Sequence, residues 1–346
     1  MTGFGFDLYV EGNSNAGRCG LPFTLVRSTV YVMLTVLTES PEDAAEFVRH
    51  GELAAFPTET VYGLGADIFN RTALEKIFKA KRRPADNPLI AHISSIDELE
   101  LLTSSVSPEA TKLIERFFPG PLTIVFPRKS AVPDLISAGL STIGVRMPRH
   151  PIAQAFLKAV GGPVAAPSAN LSGRPSPTTW EAVHEDLDSR IACILKGGPS
   201  EVGIESTVVD CSTEIPVLLR PGAVTFEQLR ETVPSFRLTN PEDLTAARSP
   251  GTRHRHYSPK AKVIVIGRAP AMAPPSSAFI GLTLPSIHDS FELLKIVDDV
   301  TQYAQTLFDF FRECDQIGII RIYCERVPDL GLGRGLMDRL NRAAED

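Results

Sequence analysis

The order of strand-like and helix-like segments predicts an α/β protein with a second, smaller α/β domain. Short apolar runs typical of strands alternate with segments whose apolar residues recur at helical spacing. The chain has 346 residues, which suits two domains of ordinary size. A polar, proline-containing stretch at 233–262 separates two such alternating regions. These observations together favour two layered α/β domains joined by a linker.

The first alternating region opens with a helix-start signal. Ser40 precedes Pro41, and Gly51 ends the helix predicted after them. The spacing of Thr72 and Glu75 repeats the start signal for a helix that must end before Pro84. Further helices are predicted near 108–118, 150–160, 178–187 and 225–232. Strands are predicted at 53–56, 88–93, 122–126, 142–146, 163–166, 191–195, 207–210 and 217–219.

The second region has the pattern of a small Rossmann-like domain. Its strands are predicted at 262–266, 278–282 and 317–323, and its helices at 298–313 and near 334–344. The predicted boundaries are a leader at 1–32, a large catalytic domain at 33–232, a linker or lid at 233–262 and a C-terminal domain at 263–346. Residues 21–37 are apolar but broken by Arg27, so they fit neither a membrane span nor a typical secretory leader. A disordered leader and a working start at Met33 both remain open.

Charge and cysteine content narrow the classes of function. A net charge of −6 without a run rich in Lys and Arg disfavours an extended nucleic-acid surface. The five cysteines are widely spaced and form no CxxC pair, which predicts reduced, mostly buried thiols and a cytoplasmic protein. These are Cys19, Cys193, Cys211, Cys314 and Cys324.

Polar and cationic residues are concentrated in short blocks of the large region. The blocks are PTETVYGLG at 57–65, KRR at 81–83 with DNPL at 86–89, PGPLT at 119–123, VRMP at 145–148, PSAN at 167–170, GIEST at 203–207, LRPG at 219–222 and SPG with RHYSP within 249–259. At these residues the chain resembles the YrdC-like family. In its full length it resembles the two-domain members of that family, the L-threonylcarbamoyladenylate synthases. The resemblance implies a YrdC-like twisted mixed sheet with a concave active-site face.

The same resemblance implies the roles of individual residues. The implied catalytic residues are Lys81, Arg83, Ser168 and Asn170. The implied threonine-binding residues are Thr60, His92, Arg146, Ala166 and Ser206. The implied ATP-binding residues are Arg83, Asn87, Thr142, Ser168, Ser176, Arg220 and Tyr257. The basic and aromatic run at 253–257 is expected to act as a lid over the active site.

Physical chemistry supports some of these roles and leaves alternatives open. Arg146 follows a strand of small and apolar residues, where a planar guanidinium is suited to a carboxylate. A structural pair with Asp or Glu is the alternative. Lys81 and Arg83 also fit the cation preference of a helix C-terminus. His92 also fits a core histidine, and Arg220 also fits a solvated strand end.

Two glycine-rich segments carry no nucleotide motif. The segment from Gly198 to Gly203 has the glycine spacing of a P-loop but lacks the following Lys and Ser/Thr, which excludes a Walker-type ATPase. Gly331 to Gly335 is interpreted as a turn before the last helix. The carboxylates are scattered and predict no fixed protein metal site, so Mg²⁺ is expected to be held mainly through ATP phosphates.

The resemblance implies synthesis of threonylcarbamoyl-AMP and diphosphate from L-threonine, bicarbonate or CO₂, and ATP. This is the first step of making the N6-threonylcarbamoyl mark (t6A37) on tRNA, and it implies a downstream threonylcarbamoyl transferase machinery, with direct tRNA binding left open. Positioning and charge stabilisation can supply most of such catalysis. A double-stranded RNA-binding module with a vestigial nucleotide site is the alternative from another class. A carbamoyl-transferring enzyme that acts on another amine is a third.

Overall fold

The computed structural model describes residues 34–238, 257–268, 270 and 272–345. Within these residues the chain forms one large mixed sheet and one small parallel sheet, with helices packed against both. The large sheet contains β1 (Val36–Thr38), β2 (Ala54–Phe56), β3 (Gly63–Asp67), β4 (Ile90–His92), β5 (Leu122–Pro127), β6 (Thr142–Arg146), β7 (Val164–Ala165), β8 (Cys193–Leu195), β9 (Thr207–Asp210), β10 (Val217–Arg220) and β11 (Arg237–Leu238). The small sheet contains β12 (Lys262–Ile266), β13 (Ser277–Gly281), β14 (Leu293–Ile296) and β15 (Arg321–Glu325).

The helices of the described residues lie mostly between these strands. They are α1 (Pro41–Arg49), α2 (Arg71–Lys81), α3 (Leu99–Leu102), α4 (Pro108–Phe117), α5 (Asp134–Ser137), α6 (Pro151–Val160), α7 (Trp180–Leu187), α8 (Phe226–Thr232), α9 (Val300–Ile317) and α10 (Leu332–Ala344). In the part of the chain that the structure describes, none of them is long and apolar enough to cross a bilayer.

The large sheet is mixed, as the resemblance to the YrdC-like family implies. Its order is β1-β8-β2-β3-β7-β4-β6-β5-β9-β10-β11 in the described residues. β4 pairs in parallel with β6 and antiparallel with β7, and β5 pairs antiparallel with β6 and in parallel with β9. The C-terminal ends of β4 and β6 therefore lie side by side, with His92 opposite Arg146 in the register.

Both faces of the large sheet are covered by apolar side chains. Along β2 the side chains alternate, so that Ala55 packs into one cluster and Ala54 and Phe56 pack into another. The first cluster includes residues of α2, α4, α7 and α8, and the second includes residues of α1 and α6. The sheet is thus the central layer of the large domain.

The helix starts follow local capping chemistry. Ser40 accepts a hydrogen bond from the Asp43 backbone, as predicted for α1. The prediction that the next helix is capped at Thr72 is wrong. α2 begins at Arg71 because the Asn70 side chain accepts from the Ala73 backbone first.

The small domain is a four-stranded parallel sheet in the order β12-β15-β13-β14. Residues of α9 and α10 share one apolar cluster with β12, β13 and β15. The predicted strand at 317–323 starts too early, because Ile317 still belongs to α9, and Gly318 ends that helix in the left-handed region at φ 79°. β14 was not predicted. The predictions for the leader at 1–32 and for most of the linker fall on residues that the structure does not describe.

Candidate active site

A concave cavity of about 610 Å³, counted out to its open mouth, lies over the large sheet. It is bounded by the turn after β2, the loop between α2 and β4, the ends of β4, β6 and β10, the turn after β7 and the segment before β9. The wall includes nine residues that the sequence analysis assigns to the site: Thr60, Arg83, His92, Arg146, Ala166, Ser168, Ser206, Arg220 and Tyr257.

One part of the cavity, the Arg146 end, is formed by Thr60, His92 and Arg146. The Arg146 guanidinium pairs with the buried Glu59 carboxylate at 2.7 Å. It also donates from Nη1 to Thr60 Oγ1 at 2.8 Å and from Nε to the Gly120 carbonyl at 3.3 Å. The structural pair with an acid, left open by the sequence, is therefore present. A guanidinium carries five N–H donors, so this pair still permits a carboxylate partner in the cavity.

Glu59 keeps its charge although it is fully buried. Burial raises its pKa, but the charge of Arg146 and its hydrogen bond bring that pKa below the usual value. Thr58 fixes the same turn, because its hydroxyl contacts Thr60 Oγ1 at 2.9 Å and donates to the Val61 carbonyl at 2.6 Å. The Arg146 end is thus a set of side chains held by one another before any ligand binds.

His92 is a buried, neutral histidine in the wall of the Arg146 end. Burial, and then the charge of Arg146, lower its pKa to about 3. Nδ1 lies 3.3 Å from the Ile90 carbonyl, and the Phe56 ring packs edge-on at a centroid distance of 5.9 Å. His92 therefore has the partners of a core histidine and also faces the cavity.

The other part of the cavity, the Arg220 end, is formed by Arg83, Arg220 and Tyr257. Arg220 is buried and donates to the Ser206 carbonyl from Nε at 3.1 Å and from Nη2 at 2.9 Å. Arg83 donates from Nη2 to the Pro88 carbonyl at 2.9 Å. Burial is the main cause that lowers the Arg83 pKa to about 10, and the charge of Arg220 adds to it. Two nearby guanidiniums on one wall favour a ligand of high negative charge.

Lys81 lies behind the cavity wall. Its Nζ donates to the Ser168 carbonyl at 2.5 Å and to the Asn170 carbonyl. Burial, helped by the charge of Arg83, lowers the Lys81 pKa well below its usual value. Asn170 completes the turn: its amide donates to the Leu171 and Arg174 carbonyls at 2.8 Å, and its side-chain oxygen accepts from Ser168 Oγ at 2.5 Å. Lys81 and Asn170 therefore hold the turn that presents Ser168 to the cavity.

Three more predicted residues are not part of the wall. The Asn87 carbonyl accepts a hydrogen bond from Arg83 Nε at 3.3 Å, so Asn87 helps to hold the Arg83 side chain in place. Thr142 begins β6 opposite Pro127, at the other end of the strand from Arg146. Ser176 is buried and donates its hydroxyl to the Glu205 carboxylate.

Tyr257 is the described residue through which the linker reaches the cavity. It is buried, has a positive φ of 66°, and stacks on Phe308 of α9 at a centroid distance of 5.5 Å. The Arg339 guanidinium lies 5.4 Å from the centre of the same ring. The rest of the predicted lid run, at 253–256, lies outside the described residues. The second sheet domain thus contributes directly to the surroundings of the site.

Sequence reasoning missed three residues at this site. Glu59 and Glu205 lie inside two of the polar blocks, but the sequence alone assigned neither carboxylate a role of its own. Arg339 bonds to Glu205 across 134 positions, and nothing in its local sequence predicts that contact. Glu205 could have been found from its position next to Ser206.

Comparison with known proteins places the chain in a family. Residues 46–222 match the model of the Sua5, YciO and YrdC proteins, described as telomere recombination. Residues 224–345 match the C-terminal domain of threonylcarbamoyl-AMP synthase. The chain belongs to the Sua5/YciO/YrdC family and has the additional C-terminal domain.

Similar proteins extend over nearly the whole chain. A threonylcarbamoyl-AMP synthase of Pyrococcus abyssi is 42% identical over 315 residues, which are 87% of this chain and 93% of the relative. A threonylcarbamoyl-AMP synthase of Bacillus subtilis is 40% identical over 325 residues, which are 89% of this chain and 94% of the relative. A crystal structure of P. abyssi Sua5 complexed with L-threonine superposes with a TM-score of 0.83 at 38% identity, covering 90% of this chain and 98% of that one.

Proposed function

We propose that the protein is an L-threonylcarbamoyladenylate synthase, a nucleotidyltransferase that makes threonylcarbamoyl-AMP and diphosphate. Its substrates are L-threonine, bicarbonate or CO₂, and ATP. The observation that carries the proposal is a single cavity with one buried guanidinium at the Arg146 end and two more at the Arg220 end. The similarity to synthases over most of the chain supports the same reaction.

In this proposal the Arg146 end binds threonine. The carboxylate bonds to the Arg146 donors that remain after its contacts with Glu59, Thr60 and the Gly120 carbonyl. The other residues that contact threonine are Thr60, His92, Ala166 and Ser206. The related P. abyssi protein, crystallised with L-threonine, supports this assignment.

The Arg220 end binds ATP. Arg83 and Arg220 contact the phosphates, Ser168 lies beside them in the wall, and Tyr257 covers the nucleotide. Asn87, Thr142 and Ser176 are also proposed for the ATP site: Asn87 accepts from Arg83, Ser176 donates to Glu205 in the wall, and Thr142 lies on β6 opposite Pro127. Lys81 and Asn170 contribute to catalysis by fixing the position of Ser168.

The reaction needs positioning more than proton transfer by the protein. The threonine amine adds to CO₂ and loses a proton, which gives an N-carboxylate. One of its oxygens attacks the α-phosphorus of ATP, the bond from that phosphorus to the bridging oxygen breaks, and diphosphate leaves. Cations that hold both reactants in line and neutralise the developing charge account for such catalysis. Burial of the site protects the hydrolysable adenylate.

Magnesium is proposed to arrive with ATP. Within the described residues, no three or more His, Cys, Asp or Glu side chains come together as metal ligands. Mg²⁺ commonly keeps several waters and is held by substrate phosphates together with one or two carboxylates. Glu59 is already engaged by Arg146, which makes it unsuited to that task.

The biological setting follows from the product. We propose that the adenylate feeds tRNA t6A37 synthesis through a threonylcarbamoyl transferase machinery, and that the functional units are a catalytic domain at 33–232, a lid at 233–262 and a C-terminal domain at 263–346. The four described cysteines are free and buried, which supports a cytoplasmic location. The double-stranded RNA-binding alternative is not favoured, because Arg83, Arg146 and Arg220 line a concave cavity.

Diphosphate release by the full chain tests the proposal. The protein is incubated with ATP and bicarbonate, with or without L-threonine, and with L-valine and L-serine in separate reactions. Release is expected to depend on threonine, to be weak with valine because its pocket partners stay unpaired, and to be reduced with serine by about 10- to 200-fold. Equal release with and without any amino acid would contradict the function.

A further inference from the structure

The last helix contributes a fully buried arginine to the interface between the two sheet domains. Arg339 in α10 has no exposed surface. Its Nε pairs with Glu205 Oε2 at 2.7 Å, and its Nη2 donates to the Glu205 carbonyl at 3.3 Å. Its Nη1 donates to the Pro221 carbonyl at 3.0 Å and pairs with Asp338 at 2.6 Å. These four contacts are charge-assisted hydrogen bonds, and they fix the orientation of the planar guanidinium.

Each large-domain partner of Arg339 belongs to, or directly adjoins, the cavity wall. Glu205 is itself in the wall and also accepts from Ser176. Pro221 directly follows Arg220, whose side chain is in the wall. The guanidinium also lies 5.4 Å from the Tyr257 ring centre, within the range of a cation–π contact. One side chain of the C-terminal domain therefore contacts three segments at the cavity, those that carry Glu205, Pro221 and Tyr257.

The backbone of α10 approaches these segments closely enough for that contact because of two glycines. A Cβ on Gly335, one turn before Arg339, would lie 3.0 Å from the Gly222 Cα. A Cβ on Gly222 would lie 2.6 Å from the Thr207 backbone nitrogen. A side chain at Gly335 would separate the helix from the turn after β10, and one at Gly222 would separate that turn from the segment that carries Glu205. The close packing of Gly335 and the hydrogen bonds of Arg339 therefore join α10 to the same turn after β10.

We propose that Arg339 is a positioning residue of the synthase, through which docking of the C-terminal domain sets the geometry of the Arg220 end. The inference rests on the proposed function, since it assigns that end to ATP. Arg339 acts through Glu205, Arg220 and Tyr257 and not by contact with the reacting atoms. Its loss should weaken ATP binding and leave threonine binding to the Arg146 end intact.

A second buried arginine of the same interface supplies a matched control. Arg312 in α9 is 4% exposed, pairs with Asp186 of the large domain at 3.0 Å and donates to the Pro175 carbonyl at 2.6 Å. It joins the same two domains, but Asp186 and Pro175 are not in the cavity wall. The contacts given for Arg312 in the described residues include no wall residue, although Pro175 precedes Ser176, whereas Arg339 contacts Glu205 and Tyr257 directly. Variants of Arg312 therefore report the effect of weakened docking without the loss of a direct contact to the wall.

The experiment compares the full-length wild type with R339Q, R339K, R312Q and R312K. Thermal melting, KM for ATP, KM for threonine and kcat are measured, and threonine binding is measured by calorimetry without ATP. Both Gln variants should melt at lower temperature. R339Q should raise KM for ATP by about tenfold or more, because small displacements of positioned groups have large effects, whereas R312Q should change it less than about twofold. Threonine affinity should stay within about twofold in both.

The Lys variants keep the test decisive if a Gln variant does not fold. Lysine retains the charge but not the planar fork, so R339K should still raise KM for ATP above that of R312K. Equal ATP constants for the Arg339 and Arg312 variants, or a parallel loss of ATP and threonine binding in R339K, would overturn the inference. Wild-type protein without threonine-dependent diphosphate release would overturn the proposed function instead. ATP binding by calorimetry would then still compare the two arginines.

Discussion

The two ends of the cavity are built in different ways. At the Arg146 end, Glu59, Thr60 and Arg146 all belong to the large domain and bond directly to one another. At the Arg220 end, Tyr257 comes from the segment that leads into the C-terminal domain, and its ring contacts Phe308 and Arg339 of that domain. The first end is therefore preorganised within one domain, whereas the second depends on the docking of another. We expect threonine to bind without ATP, and ATP binding to respond to changes at the domain interface.

The largest expected effect is that of Arg146→Gln. Threonine-dependent diphosphate release should fall by at least about a hundredfold, because the substitution removes a charged donor from the substrate carboxylate. It also leaves the buried Glu59 charge without its partner. Steady-state turnover with ATP and bicarbonate measures the effect. Arg149→Gln is the control, since the Arg149 side chain is exposed and pairs with Glu201; an equal loss in both variants would show that Arg146 has no special role.

Arg83→Gln should impair ligand binding at the Arg220 end of the cavity and not at the Arg146 end. KM for ATP is expected to rise by about tenfold, because a charged hydrogen-bond donor to phosphate is lost. Threonine binding measured without ATP should be unchanged. Arg82→Gln is the control, because Arg82 is the exposed neighbour that ends α2. Loss of threonine binding in Arg83→Gln would break the division of the cavity into two ends.

Lys81→Met tests a residue behind the wall. Methionine has a similar length but leaves the Ser168 and Asn170 carbonyls without this donor. The free energy of unfolding should fall by about 2 kcal/mol, since buried acceptors lose their partner. Turnover should fall because Ser168 is no longer held in place. Urea unfolding of this variant beside Lys79→Met, which changes an exposed lysine of the same helix, measures the difference; equal stability would refute the structural role.

The smallest effect concerns the pH dependence of stability at His92. Its folded-state pKa of about 3 lies below the ordinary value of 6.5, so the unfolded chain takes up a proton first as the pH falls. The contribution of His92 to stability is therefore lost progressively from about pH 6.5 towards about pH 3. His92→Gln should lose less stability than the wild type between about pH 7 and about pH 5 in urea unfolding. The exposed His50→Gln variant is the control for the loss of a histidine side chain.

The sequence predicted the parts of the fold that depend on local pattern. The apolar strand 142–146, the capped start at Ser40 and the helix after Thr225 have local signals, and the structure contains them. The strand at 293–296 was missed because its sequence carries no clear period, and pairing with β13 determines it. Local pattern thus identifies most elements, while sheet neighbours determine the others.

At the site, too, local pattern identifies residues, while the folded structure determines their partners. Arg146 was recognised because a cation after a buried strand needs a partner, but the identity of Glu59 as that partner depends on the folded turn. Ser168 was recognised from its block, whereas the support from Lys81 spans 87 positions of sequence. Arg339 shows most clearly what the sequence alone does not predict, because its bond to Glu205 forms only where the two domains meet.

Calorimetric titration of L-threonine into the full chain without ATP tests the central claim most directly. We expect threonine to bind at one site in the wild type, to bind with similar affinity in Arg83→Gln, and not to bind in Arg146→Gln. Retained binding in Arg146→Gln, or equal loss in both variants, would contradict a cavity whose amino-acid site is formed before the nucleotide binds.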